Sequence, residues 1–157
     1  MDHANKRTFL LEQFVPLLRQ IPSDTLPHWG KMTLQQMTEH FSDYVRMAAG
    51  KTVPKELLTP AEQLPKMQAF LESDKPFREN TPNPLMPEVP APVRNRSIQE
   101  AFAELQEALD EFDATFGANP HLTTLNPFFG ELNIQQNVQL LYKHARHHLR
   151  QFGVTIG

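Results

Sequence analysis

Apolar side chains recur every three or four residues over four long segments of the chain, which is the spacing of an amphipathic helix. The first segment covers about residues 3–20, and Pro16 within it predicts a kink or a shortened helix. The second segment begins at Thr33, which has the capping-box partner Gln36 three residues later, and ends at Gly50. We therefore expect two amphipathic helices in the N-terminal part of the chain.

The C-terminal part of the chain carries the other two helical segments. One begins at Ser97, with Glu100 three residues later, and its apolar stripe continues to Gly117. The other begins near Asn133 and ends at Gly153. No β-strand pattern competes with these helices.

A long connection separates the second and third predicted helices. Residues 59–73 have the pattern of a shorter, capped helix that Pro65 interrupts. Six prolines then lie between Lys75 and Val93, a density that prevents both helix and central strand: Pro76, Pro82, Pro84, Pro87, Pro90 and Pro92. We therefore predict an all-α protein in which residues 1–157 form a single domain. Its expected architecture is an antiparallel four-helix bundle with a long Pro-rich crossover between helices 2 and 3.

Composition and charge exclude several classes of function. Hydrophobic residues make up 39% of the chain, as in a globular protein. The formal net charge is −3, so the chain lacks the excess of positive charge that is typical of a nucleic-acid-binding protein. No apolar run approaches the roughly 18–20 residues of a membrane-spanning helix, and the N-terminus lacks a signal-peptide core. The absence of cysteine excludes disulfide scaffolds, thiolate catalysis and Cys-based zinc fingers. We expect a cytoplasmic protein that binds neither nucleic acid nor membranes.

Histidine supplies the candidate chemistry. His144 and His148 are four residues apart on the last predicted helix, so their Cβ atoms lie about 6 Å apart on one face and both rings can bind one ion. On a helical wheel this pair lies at the edge of the apolar stripe, and His40 has the same kind of position on the second helix. Three imidazoles with open coordination positions are typical of a catalytic metal site. The alternative, which spacing alone favours, is that these histidines simply form hydrogen bonds with their neighbours.

Two stretches of the chain resemble a known family. One is WGKMT at residues 29–33, which leads into QMTEH at 36–40. The other is NPFFGEL at 126–132, followed by YKHARHHLRQFG at 142–153. Together they resemble the DinB-like (YfiT-like) superfamily of metal-dependent four-helix proteins, in the branch with the C-terminal motif HHLRQFG. The resemblance implies that a divalent ion (zinc, nickel, iron or manganese) binds to three histidines, which are His40, His144 and His148 in this chain.

Five further residues are candidates for supporting roles around the ion: Glu39, Asp43, Tyr44, Asn126 and His147. Glu39, Asp43 and Tyr44 lie beside His40 in the sequence and could orient a ligand imidazole or move a proton. A plain helix-surface role is the alternative for each of them. Asn126 lies where relatives of this branch often carry histidine, which implies a weaker or altered site if that histidine contributes to it.

The resemblance also implies an activity. Some superfamily members transfer low-molecular-weight thiols to electrophiles or isomerise thiol adducts, and a three-histidine ion can lower the pKa of a bound thiol or water. We expect a metal-dependent S-transferase or small-molecule hydrolase whose substrate is a small molecule, such as a low-molecular-weight thiol. Arg146 and Arg150 are expected in solvent on the outward face of their helix, so the sequence identifies no clamp for a carboxylate or phosphate.

A non-catalytic module is the alternative function. In that interpretation the same four-helix bundle binds a ligand or partner without metal, either in its cleft or through the proline tract. Residues 83–93 could adopt a polyproline II helix, and Arg94 and Arg96 follow closely enough to act as a basic flank. A homodimer formed through one face of the bundle is compatible with either function.

Overall fold

A computed structural model describes residues 1–79 and 89–156, and within these ranges the protein is mostly helical. The helices are α1 (His3–Thr8), α2 (Phe14–Gln20), α3 (Leu34–Ala48), α4 (Leu64–Glu72), α5 (Ile98–Ala118) and α6 (Ile134–Gln151). Two short strands, β1 (Thr124–Asn126) and β2 (Gly130–Leu132), lie between α5 and α6. No helix in the described part of the chain has both the length and the apolar character needed to cross a membrane.

The hairpin of β1 and β2 contradicts the prediction of a chain without strands. The two strands are antiparallel, with Asn126 paired with Gly130 across a three-residue loop. Gly130 has a φ of +83°, a conformation that glycine adopts without strain and that three-residue hairpin loops use. Strands of three residues are too short to show the alternating pattern from which strands are predicted.

Pro16 does not shorten the first helical segment, because a π-helical turn precedes it. The turn covers Phe9–Gln13 between α1 and α2, and the N–H of Phe14 donates to the carbonyl oxygen of Phe9, five residues earlier. A proline has no N–H to donate and its ring clashes with the carbonyl oxygen four residues before it. The wider turn just before Pro16 accommodates this defect, and the chain stays helical to Gln20.

Three predicted helix starts are present where the capping pattern placed them, but the one predicted at Thr59 is not, because its hydroxyl donates to the carbonyl oxygen of Phe128 and α4 begins only at Leu64. Thr33 and Gln36 form a complete capping box at the start of α3, and the Ser97 side chain accepts from the N–H of Glu100 at the start of α5. Asn133 forms a second capping box before α6. Pro65 does not interrupt α4, as the sequence had suggested, because it lies in the first turn, where a missing N–H costs nothing.

The apolar stripes of the helices meet in one large core. α3 packs most extensively against α5, and the fully buried side chains include Phe14 and Phe41 together with leucines of α5 and α6. A smaller apolar cluster lies beneath α4 and the hairpin, where Leu71 packs with Phe129 and Leu140. α4 and the hairpin therefore cover one side of α6.

The predicted Pro-rich crossover lies only partly within the described residues, since residues 80–88, which include the first half of the possible polyproline II helix at 83–93, fall outside them. Beyond this gap, Arg94 is not a free basic flank. Its guanidinium pairs with Asp43 of α3 (3.0 Å) and with Glu104 of α5 (2.9 Å). The end of the crossover is thus attached to both helices by ion pairs.

The two arginines expected in solvent on α6 are also placed differently. Arg146 and Arg150 are both only partly exposed, and the Nε atom of Arg150 is buried. The segment that follows α4 lies over this face of the helix, which the apolar pattern of α6 could not indicate.

Candidate metal centre

Three histidines from two helices converge on one point at the edge of the core. His40 comes from α3, and His144 and His148 come from α6; one nitrogen of each ring lies within 4.8 Å of the other two. The Nε2 atoms of His144 and His148 are 2.8 Å apart. The ring centroid of His40 is 5.5 Å from that of His144 and 5.4 Å from that of His148. These are the three residues that the sequence and the family resemblance selected.

The packing of α3 and α6 explains why these rings meet. Met37 and Phe41 on either side of His40 in the sequence are fully buried in the core, as are Ala145 and Leu149 beside the α6 pair. Each histidine lies at the edge of the apolar stripe of its helix. When the stripes of α3 and α6 are buried in one core, the two edges, and with them the histidines, come together. His148 is buried, while His40 and His144 keep partial exposure, so the group stays reachable from solvent.

Gln151 supports the group, although it was not among the predicted site residues. Its Oε1 lies 2.8 Å from Nδ1 of His148, and its Nε2 donates to the carbonyl oxygen of Trp29 (2.9 Å). Because the amide nitrogen is used by Trp29, Oε1 must be the acceptor and Nδ1 of His148 the donor. This hydrogen bond leaves the lone pair of His148 on Nε2, which faces the other histidines.

The loop before α3 is shaped around Gln151. The N–H of His28 donates to the backbone carbonyl oxygen of Gln151 (2.7 Å). Gly30 has a φ of +76°, and a Cβ added there would lie 3.1 Å from Nε2 of Gln151. The i, i+3 spacing of His148 and Gln151 on α6 was the available signal for this contact.

The electrostatics of the group favour neutral imidazoles. Burial lowers the pKa of His40 to about 4. Burial also lowers the pKa values of His144 and His148 well below the ordinary histidine value, and the neighbouring imidazoles add to the effect. Neutral imidazoles carry the free lone pair that a metal ion needs, whereas protonated ones would repel it. A set of three neutral nitrogen donors at the edge of the core therefore fits a divalent ion of the imidazole-binding class.

Aromatic side chains form the walls around the histidines. The ring of Tyr44 lies 4.7 Å from that of His40 and 4.9 Å from that of His144. Phe41 lies 4.9 Å from His144, and Phe77, from the segment after α4, lies 6.2 Å from it. Such walls restrict water and lower the local dielectric constant, which strengthens electrostatic interactions within the site.

Glu39 and Asp43 make contacts other than those predicted for them. The carboxylate of Glu39 accepts from the backbone N–H groups of Arg94 (2.8 Å) and Asn95 (3.0 Å). Burial raises the pKa of Glu39, but these hydrogen bonds outweigh it and leave the pKa below its ordinary value. Asp43 pairs with Arg94, and its charge only partly offsets the effect of burial on the pKa of His40. In the described part of the chain, neither carboxylate forms a hydrogen bond with a histidine of the group.

Asn126 and His147 lie close to the group without belonging to it. Oδ1 of Asn126 accepts from the N–H groups of Phe128 (2.8 Å) and Phe129, so it stabilises the hairpin loop. Asn126 also lines a small cavity together with His144. The ring of His147 lies 5.2 Å from that of His148, but its nitrogens are not among those that converge.

Comparison with protein families agrees with this geometry. A family model of the DinB superfamily matches residues 11–152. The chain belongs to the DinB superfamily. The matched region of this DinB-superfamily protein contains both α3 and α6, and hence all three histidines. The superfamily is metal-associated, and the three-histidine group could bind a metal ion. No curated protein and no solved structure matches the chain significantly.

Proposed function

We propose that this DinB-superfamily protein is a metal-dependent enzyme that binds a divalent ion through His40, His144 and His148. One observation carries the proposal: three imidazoles, one from α3 and two from α6, present nitrogens within 4.8 Å of one another. A three-histidine set leaves coordination positions open for a substrate, as catalytic sites require. We further propose that the helices form the antiparallel four-helix bundle expected from the family, with the site between α3 and α6.

The proposed reaction is transfer of a low-molecular-weight thiol to an electrophile, or hydrolysis of a small molecule. The bound ion would supply a lowered pKa for a coordinated thiol or water. Gln151 would hold His148 in the tautomer that presents Nε2, and the rings of Tyr44 and Phe77 would exclude bulk water. Because the chain has no cysteine, a sulfur nucleophile would have to come from the substrate.

Metal analysis of protein purified without an affinity tag tests the proposal. We expect about one divalent ion per chain, loss of that ion in His144→Ala, and its retention in His121→Ala, a control at an exposed loop position. A chelator should lower the melting temperature of the wild type, because an ion bound only to the folded state stabilises it. An ion-free wild type whose melting is insensitive to chelator would contradict the proposal and favour the non-catalytic binding module.

The oligomeric state forms a separate part of the proposal. A homodimer through one helical face is compatible with the proposed activity, and light scattering on the same untagged protein measures it. A monomeric mass would exclude the homodimer and would not bear on the proposed metal site.

A further inference from the structure

A pocket on α6, on a different face from the metal-site histidines, is lined by five cationic side chains and one carboxylate. The cations are Lys6, Lys75, Lys143, Arg146 and Arg150, and the carboxylate is Asp74. The α6 members lie at i, i+3 and i+7, which places them together on one face of the helix. His144 and His148 project from another face. The pocket is therefore distinct from the candidate metal centre.

Asp74 is the one carboxylate among the residues that line this pocket, so it offsets only part of the charge of the five cations. The whole chain has a net charge of −3, yet the ion pairs among the described residues involve Arg7, Arg46 and Arg94 and none of the pocket's cations. Like charges three and four residues apart on a helix repel one another. A group of cations held together against this repulsion favours an anion at its centre.

Arg150 lines this pocket and has one donor that is unused among the described residues. Its Nε atom is buried and has no hydrogen-bond partner among the described residues. The guanidinium of Arg146 lies over the ring of Tyr142, at 5.8 Å from the centroid, which keeps it beside the pocket. Buried polar groups in native proteins almost always have a partner, so the free Nε–H indicates a missing acceptor.

Lys143 has a different role from the two arginines. Its ammonium group donates to the carbonyl oxygens of Phe70 (2.7 Å) and Ser73 (2.9 Å) at the end of α4. Lys6 similarly donates to Oε1 of Gln139 (2.6 Å). These two lysines add positive potential to the pocket while holding its walls in place, and the Nε–H of Arg150 has no acceptor among the described residues.

We propose that this pocket binds a small oxyanion, with Arg146 and Arg150 as its direct ligands and Lys75 at its mouth. The planar guanidinium group matches the paired oxygens of phosphate and carboxylate. The cavity measures about 10 Å³, roughly the space of one water, so one oxygen of an oxyanion would enter it and the rest of the group would lie at its opening. Phosphate, free or as part of a small metabolite, has the charge that best offsets these cations.

The pocket shares one wall with the candidate metal centre. Asp74, Lys75 and Pro76 line the pocket, and Phe77, the next residue, contacts the rings of His144 (6.2 Å) and His147 (6.0 Å). An oxyanion bound here would hold in place the segment that covers the histidines. The inference stands on contacts outside the metal centre, so it does not depend on the proposed activity.

Titration with inorganic phosphate tests the proposal. We expect a saturable shift of the Arg150 Nε–H resonance, and a higher melting temperature in phosphate than in chloride at equal ionic strength. Charge-assisted hydrogen bonds of this kind predict an affinity loss of at least about tenfold in Arg150→Met and in Arg146→Met. Arg96→Met, which removes an exposed arginine elsewhere, should keep the wild-type affinity.

Two results would overturn the proposal. One is the absence of a saturable response to phosphate in the wild type, or an equal response in all the arginine variants. The other is loss of the response in His144→Ala, because that would place the anion at the histidines. If Arg150→Met does not fold, Arg146→Met and Arg150→Lys decide the question, since Arg150→Lys keeps the charge but loses the paired donors.

Discussion

Replacing Gln151 by methionine should weaken metal binding, although Gln151 is not one of the proposed metal ligands. Gln151→Met removes the hydrogen bond to Nδ1 of His148 (2.8 Å) and the one to the carbonyl oxygen of Trp29 (2.9 Å). With its tautomer no longer fixed, His148 would present a protonated Nε2 part of the time. Loss of such a supporting contact typically costs about 10–100-fold in metal affinity, or about 1.4–2.7 kcal/mol.

The same substitution should also destabilise the protein. Gln151 is only 3% exposed, so the two groups it leaves behind lose their hydrogen-bond partner inside the structure. An unsatisfied buried group costs about 1–3 kcal/mol, and we expect the free energy of unfolding to fall by about 2–4 kcal/mol. Urea denaturation measures this loss, and competition with a chromophoric chelator measures the metal affinity.

Gln139→Met provides the matched control. Gln139 lies on the same helix and donates to the carbonyl oxygens of Leu71 (3.0 Å) and Ser73 (3.2 Å), away from the histidines. It should lose stability and keep wild-type metal affinity. Gln151→Glu should also keep that metal affinity, because the carboxylate still accepts from His148. Its free energy of unfolding should nevertheless fall, because a carboxylate cannot donate to the carbonyl oxygen of Trp29. Wild-type affinity in Gln151→Met would refute the assigned role.

Three further predictions concern the residues around the site. His147→Ala should retain the full metal content, because its nitrogens lie outside the converging set; loss of the ion would make it a fourth ligand. Glu39→Gln should lower the free energy of unfolding by about 2 kcal/mol, since the amide offers only one neutral acceptor where the carboxylate accepted from the backbone N–H groups of both Arg94 and Asn95; a urea midpoint unchanged from wild type would contradict this. In metal-free protein, the folded-state pKa of His40, near 4, lies below the unfolded value of about 6.5. The unfolded chain therefore binds more protons in this window, and stability should be complete above pH 6.5 and fall by at most about 3 kcal/mol towards pH 4. Denaturation curves that coincide at pH 7 and pH 4.5 would argue against a lowered pKa of His40 in the folded state.

Supporting contacts were harder to predict from the sequence than the histidines themselves. Glu39 and Asp43 were proposed as partners of His40 because they are its neighbours in the sequence. The structure turns both towards Arg94, which is more than 50 residues away. Gln151 had a helical neighbour in His148, but its second partner, Trp29, comes from a loop whose path no local pattern describes. The true contacts of a polar side chain depend on which segments pack beside it.

Local patterns determined the helices of this protein, their capped starts and the position of its histidines. Thr33, Ser97 and Asn133 begin their helices because side chain and backbone interact within a few residues, and an i, i+4 pair such as His144 and His148 shares a face in any helix. Only the tertiary structure decided that His40 meets this pair and that a short hairpin closes one side of α6. These features depend on close packing between distant segments, whose free energy is shared across the whole core and has no counterpart in any short stretch of sequence.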